Sequence, residues 1–142
     1  MTKSKLVFII VAVVLIGIQL VGFETTNPNV LADIQTPMEI KTILKNSCYD
    51  CHSNETKWPW YSKVAPISWY IIYDVNEGRE ALNFSDWDKL TTDKQYKLVG
   101  KIVQEIDEDE MPPSLYSIMH SSARLGIEKK GELKKWLQQS NN

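Results

Sequence analysis

The longest apolar run in the chain lies near its start, from Leu6 to Phe23, and it contains no charged residue. As an α-helix at about 1.5 Å per residue the run would span roughly 27 Å, close to the thickness of the hydrocarbon core of a bilayer. The run is apolar on every face, which argues against a buried helix of a soluble domain. Residues 1–23 are therefore predicted to form a transmembrane helix.

Two lysines, Lys3 and Lys5, precede this run and predict that the amino terminus is cytoplasmic and the rest of the chain periplasmic. A cleaved signal peptide begins in the same way. The best small-x-small cleavage site is Val30-Leu31-Ala32, well past the end of the apolar run and beyond Pro28. This distance favours a retained anchor, and hence a single-pass protein of the inner membrane whose carboxy-terminal domain lies in the periplasm.

Beyond the anchor, the pattern changes at residue 36. Residues 24–35 have no sustained periodicity and include Asn27-Pro28, so they are predicted to be a tether. Residues 36–142 carry apolar side chains three and four positions apart, which is typical of helices, and no stretch alternates as a strand does. The predicted class is all-α. The four predicted helices run from Pro37 to Ser47, from Pro66 to Gly78, from Asp93 to Asp107 and from Ile127 to Gln138, and a capping-box pattern predicts that Thr36 and Glu39 cap the first.

Composition narrows the class of partner. The chain has 142 residues, of which 43% are hydrophobic and 24% charged, and this is ordinary for one globular domain. Its 16 Lys and Arg face 18 Asp and Glu, so the net charge of −2 lacks the basic excess that binding to a phosphate backbone requires. Nucleic acid is therefore not an expected partner.

The sequence Cys48-Tyr49-Asp50-Cys51-His52 contains both cysteines of the chain and one of its two histidines. In the CxxCH spacing, two thiols three positions apart can form thioethers with the two vinyl groups of a haem, and the adjacent imidazole donates a nitrogen to the iron. The motif therefore predicts one covalently bound haem c per chain. Cys48 and Cys51 are the predicted attachment points and His52 is the predicted proximal ligand.

The same five residues are compatible with three further kinds of site. A structural disulfide suits an exported protein, although a CxxC pair closes a very small loop and gives little stabilisation. A thioredoxin-like redox pair requires a βαβ setting. A zinc site requires four ligands, for which the chain offers Cys48, Cys51, His52 and His120.

Further motifs accompany CxxCH between about residues 38 and 137. They are Trp58-Pro59-Trp60-Tyr61-Ser62, Ala65-Pro66-Ile67-Ser68-Trp69, Asp74-Val75 with Gly78-Arg79, Leu82-Asn83-Phe84-Ser85-Asp86-Trp87, and Glu110-Met111-Pro112-Pro113 with Tyr116 and His120. With these motifs the chain resembles small bacterial haem-binding domain proteins, which are often membrane-anchored and have a fold related to cytochrome c. The resemblance implies a haem cofactor and a cytochrome c-like helical domain, and it implies a location more firmly than a reaction.

A second axial ligand of the iron is expected from Met111, Met119, His120 or Met38, or the position is open. Met111 lies in a Met-Pro-Pro loop between the third and fourth predicted helices, an order that resembles small cytochromes c. Proline fixes φ and prevents the loop from continuing as a helix, so the thioether can be held in one place. Met111 is therefore the predicted distal ligand.

Other polar and aromatic residues are candidates for the edge of the haem. An indole N–H of Trp58 or Trp60 could donate to a haem propionate, and Arg79 or Arg124 could pair with one. The acidic run 107–110 is either a solvated helix end or a guide for a basic redox partner.

Together these residues predict single-electron transfer with a redox partner protein at the periplasmic face of the membrane. A peroxidase-like enzyme with an open distal position, which would rely on His120 for acid-base chemistry, is one alternative. A haem-based ligand-binding or sensory module is the other.

Overall fold

The computed structural model describes residues 2–139, and within this range every regular element is a helix. The all-α prediction is confirmed. Met1 and residues 140–142, the ends of the predicted anchor and of the predicted domain, lie outside the described residues. The α-helices are α1 (Lys3–Gly17), α2 (Met38–Ser47), α3 (Tyr49–His52), α4 (Ile67–Ala81), α5 (Thr92–Asp107), α6 (Ser114–Met119) and α7 (Ile127–Gln139), and short 3-10 turns occupy Ile18–Leu20, Trp60–Lys63, Phe84–Lys89 and Ser121–Ala123.

The amino-terminal helix is long and apolar enough to cross a membrane. Helix α1 and the 3-10 turn after it form a segment of 18 residues, Lys3–Leu20, with a mean hydropathy of 2.1 and none of its residues buried against the rest of the chain. By length and composition the segment suits a membrane span or a signal sequence. The one-sided apolar stripe of an ordinary surface helix is absent from it, in agreement with the sequence pattern.

The four predicted helices are present as α2, α4, α5 and α7, each within a few residues of the predicted ends. The predicted capping box is wrong. Pro37, not Thr36, is the N-cap of α2, and no side chain among the described residues caps the first turn. Because Pro37 is still extended (ψ 152°), the helix begins one residue later than predicted and Thr36 lies outside it; its hydroxyl donates instead to the Pro37 carbonyl at 3.2 Å.

The core of the domain lies between the first and last helices of residues 36–139. Helix α7 packs against both α2 and α5. Burial of apolar side chains drives this packing, and the three-and-four spacing on each helix directs them to one side. The buried cluster comprises Ile40, Ile43 and Leu44 of α2, Val99 and Ile106 of α5, Leu133 and Leu137 of α7, and Ile34, Tyr49, Phe84 and Trp87.

The segment predicted as a tether has no helix, but its end lies along the domain. The backbone amides of Ala32 and Ile34 donate to the carbonyls of Ser85 and Phe84, both at 3.0 Å. Ile34 is buried in the core cluster. These contacts place the end of the segment against the domain.

Candidate functional site

The last four residues of the CxxCH motif form the short helix α3. The two residues between the cysteines hold this helix in position. The Tyr49 ring stacks on Phe84 with centroids 5.5 Å apart, and its hydroxyl donates to Asp33 Oδ1 at 2.7 Å. Asp50 accepts a hydrogen bond from the Tyr116 hydroxyl at 2.7 Å on the opposite side. The two residues between the cysteines thus tie α3 to the core and to α6.

Close contact between α3 and α4 depends on Gly78. A Cβ atom at this position would lie 2.6 Å from the Cys51 carbonyl oxygen and 3.1 Å from its carbonyl carbon. Both atoms belong to the backbone and cannot rotate away. The absence of a side chain at Gly78 is what lets α4 lie directly against the CxxCH helix.

The contact between these helices also orients His52. Its Nδ1 lies 2.8 Å from the Gly78 carbonyl oxygen and 3.1 Å from that of Leu82. Carbonyl oxygens only accept hydrogen bonds, so Nδ1 carries the proton and Nε2 keeps its lone pair. Burial lowers the pKa of His52, against the opposing effect of the two carbonyls, and keeps the ring neutral at physiological pH. A neutral imidazole whose second nitrogen is held by backbone carbonyls is the usual form of a metal-ligating histidine.

Two neighbouring cavities meet at His52. One of about 120 Å³ has mostly apolar walls, and the other of about 330 Å³ is lined by more polar side chains. Cys48, His52, Ala81 and Met111 line both. The apolar walls of the smaller cavity come from Leu82, Phe84, Leu98, Ile102, Ile106, Pro112 and Leu125, and the larger adds Cys51, Asp50, Asp74, Glu77 and Tyr116.

The environment of the two thiols disfavours a thioredoxin-like redox pair and a zinc site. Burial raises the pKa of Cys48 to about 12 and that of Cys51 to about 11, with smaller contributions from neighbouring negative charges. Both thiols are therefore protonated near neutral pH, whereas the reactive form of a redox pair is a thiolate. Within residues 2–139 no group of three or more His, Cys, Asp or Glu side chains is placed to hold a metal ion.

Of the candidates for a distal ligand, Met111 is the one that the structure brings to the cavities. Met38 and Met119 are exposed and line neither. His120 also lies outside them: its Nδ1 is 3.2 Å from the Tyr116 carbonyl oxygen, and its Nε2 is 3.1 Å from the Tyr61 hydroxyl. Both nitrogens of His120 therefore have partners from the protein.

Three of the four tryptophans and arginines predicted for the haem edge donate hydrogen bonds to other parts of the protein, and the fourth is exposed. The Trp58 indole N–H donates to Asn27 Oδ1 at 3.2 Å, and Trp60 is exposed beside Tyr61. Neither tryptophan lines the two cavities at His52. Arg79 donates to the Ser53 and Thr26 carbonyls, to Asn27 and to Thr56, and Arg124 donates to the Ser117 carbonyl.

Lys101, which the sequence patterns did not single out, is the one lysine or arginine of residues 2–139 that lines either cavity. It lies on α5, as do Leu98 and Ile102, which also line the smaller cavity, while Val99 packs in the core and Ile106 belongs to both. The three-and-four spacing of α5 indicated a buried stripe but could not divide it between core and cavity. Lys101 is therefore the cation best placed for a propionate.

Two residues of the acidic run 107–110 pair with the last helix. Lys134 forms an ion pair with Asp107, and Lys130 pairs with Asp109 while donating to the Ile106 carbonyl at 2.9 Å. Two of the four charges thus link the end of α5 to α7.

These residues fit a haem group. The cavities combine apolar walls, one neutral imidazole with a free lone pair, one thiol within α3 and one at its N-cap, and one thioether on another segment. Comparison with known proteins agrees: the family model described as a haem-binding domain matches residues 13–139. No curated protein and no solved structure matches the chain.

Proposed function

Because the chain belongs to the haem-binding domain family, we propose that it is a membrane-anchored c-type haem protein that carries single electrons at the periplasmic face of the inner membrane. The observation that carries this proposal is the orientation of His52. Its Nδ1–H is held by the carbonyls of Gly78 and Leu82 beside the two cavities, which leaves Nε2 for iron.

Bound haem supplies a metal that gains and loses one electron, and the chain determines how it is held. Cys48 and Cys51 would tether one haem, His52 would be the proximal ligand, and Met111 the distal ligand. Leucine and isoleucine side chains of α5 and the loops would exclude water, and Lys101 would neutralise a propionate. A proximal histidine with a distal methionine favours a high reduction potential and closes the coordination shell, which suits transfer to a redox partner protein.

Covalent attachment is tested by expressing the full chain with a cytochrome c maturation system. We expect the pigment to stay with the polypeptide through denaturing electrophoresis. The Cys48→Ala, Cys51→Ala double variant should lose it, because no thiol remains to form a thioether. Pigment that is extracted by acid-acetone from the unaltered chain, with both thiols free, would contradict the proposal.

The distal ligand is tested by Met111→Ala, with Met119→Ala as the matched control because Met119 is exposed and outside the cavities. The unaltered ferric protein should be low-spin and show the weak near-infrared band of sulfur-to-iron ligation. Met111→Ala should remove the band and lower the potential, and Met119→Ala should keep both. A high-spin native protein that binds cyanide rapidly and turns over peroxide would favour a peroxidase-like enzyme instead.

The membrane part of the proposal is supported by the apolar segment Lys3–Leu20 and by the lysines at its start. The mature chain should resist extraction by carbonate and begin near Met1. A protease added to spheroplasts should digest the haem domain, because the proposal places this domain on the periplasmic side of the membrane. Mature protein that begins at Asp33 would show that the segment is a cleaved signal.

A further inference from the structure

The end of the apolar amino-terminal segment is docked on the haem domain. The Gln19 side-chain amide donates to the Ala65 carbonyl at 3.1 Å, and its oxygen accepts from the Ala65 N–H at 3.0 Å. The Trp69 indole N–H donates to the Val21 carbonyl at 2.9 Å, and Phe23 packs edge-on against the Trp69 ring. The start of α4 therefore touches the chain where the apolar segment ends.

Exposed apolar and aromatic side chains lie in the same part of the chain as this contact. They occupy a stretch of 14 residues, from the 3-10 turn Trp60–Lys63 into the first two turns of α4. Such surface is unusual on a soluble domain, and Trp and Tyr are enriched at membrane–water interfaces, where the ring meets lipid and its polar atom meets water. These side chains, with their exposed fractions, are Trp60 (78%), Val64 (39%), Ile67 (51%), Tyr70 (60%) and Tyr73 (62%).

The polarity of α4 changes along its axis. At 100° per residue, Ile67, Tyr70 and Tyr73 share one arc of about 120° on the helix, and the later turns of the same arc carry Asp74 and Glu77. Ile67 and Tyr73 are roughly 9 Å apart along the axis, slightly more than the depth of roughly 5–7 Å of the headgroup region on each side of a bilayer. An amphipathic helix that lies flat on a membrane differs in polarity around its axis, whereas α4 differs along it.

From these observations we infer that the surface formed by Trp60, Val64, Ile67, Tyr70 and Tyr73 lies in the headgroup region of the bilayer that the anchor crosses. The occupant of the surface is lipid. The inference rests on the membrane anchor of the proposed function, and it adds that the haem domain is held against the membrane at one orientation. Tyr70 also lines the larger cavity at His52, so one mouth of the haem site lies next to the lipid surface.

The test uses the full haem-loaded chain in vesicles of phosphatidylethanolamine and phosphatidylglycerol. Nitroxide labels are placed at Trp60→Cys and Tyr70→Cys, and at Tyr96→Cys, a matched control on α5 whose side chain is 66% exposed. Far-ultraviolet circular dichroism identical to that of the unaltered protein establishes that each variant is folded. Accessibility to oxygen and to a water-soluble nickel chelate is then measured by power saturation.

We expect the labels at 60 and 70 to lose accessibility to the nickel chelate and gain accessibility to oxygen, while the label at 96 stays accessible to water. A further label at Ile10→Cys in α1 reports on the anchor itself. If position 10 is in lipid and both 60 and 70 are in water, the inference is wrong, the anchor stands, and a protein partner becomes the occupant to seek. If position 10 is in water, the membrane part of the proposed function has failed as well.

Discussion

Replacing Gly78 by alanine tests the contact that holds the CxxCH helix against α4. The added Cβ would lie 2.6 Å from the Cys51 carbonyl oxygen, and an ordinary van der Waals contact begins at 3.4 Å. The helices must therefore separate by about 0.8 Å. The hydrogen bond of 2.8 Å from His52 Nδ1 to the Gly78 carbonyl would then lengthen toward ~3.6 Å, beyond the range of a hydrogen bond.

The size of the effect follows from three contributions. Overpacking of a close contact costs about 1–3 kcal/mol, and losing one hydrogen bond costs about 1 kcal/mol. Alanine is better than glycine inside a helix by about 1 kcal/mol, which offsets the hydrogen bond. We therefore expect Gly78→Ala to lower the free energy of unfolding by about 1–3 kcal/mol.

Gly100 supplies the matched control, because it lies inside α5 and a Cβ there would meet nothing within 4 Å. Gly100→Ala should raise the free energy of unfolding by up to about 1 kcal/mol. Both variants are measured by chemical denaturation of the haem-loaded chain in detergent, followed by the visible absorbance of the haem and by far-ultraviolet circular dichroism. If Gly78→Ala is as stable as Gly100→Ala, α3 and α4 do not approach this closely, and their contact does not orient His52.

Two further variants test the supports of the site. Tyr116→Phe removes a hydrogen bond to the Asp50 carboxylate and should cost about 1.5–3 kcal/mol, whereas Phe at the exposed Tyr96 should cost little. Burial, the hydrogen bond to Asp50 and the negative charge of Asp50 raise the pKa of Tyr116 above its usual 10.0. The folded state therefore keeps a proton that the unfolded state releases, so the free energy of unfolding falls as the pH rises above about 10. In Tyr116→Phe the free energy of unfolding, measured by denaturation at several pH values, should fall less steeply with pH, by about 1.4 kcal/mol per pH unit. An unchanged slope would contradict the hydrogen bond from Tyr116 to Asp50. Arg79→Lys cannot reproduce the four hydrogen bonds of the guanidinium and should lower the thermal midpoint by several degrees, more than Arg124→Lys, which loses one bond; equal shifts would refute the role given to Arg79.

Local features of the sequence were sufficient for the apolar segment, for the four longer helices of the domain and for the haem cofactor, but not for the short helices α3 and α6. The apolar run at the start and the three-and-four spacing of α2, α4, α5 and α7 depend on neighbours within a few residues, so they can be read directly. CxxCH is equally local, because the reach between two thiols and the adjacent imidazole is set by five consecutive positions. The one local prediction that failed is the capping box at Thr36. It required Pro37 to be the first helical residue, whereas the helix begins one residue later and Pro37 is its N-cap.

Only the tertiary structure decided which distant residues meet at the site. The sequence contains four methionines, and the fold brings Met111, 59 positions after His52, to the cavities that His52 lines. It also places Arg79 among the loop carbonyls, and it makes the lack of a side chain at Gly78 essential. These outcomes depend on how helices far apart in the chain approach each other, which is determined by packing of the shared core and leaves no periodic signal in the sequence.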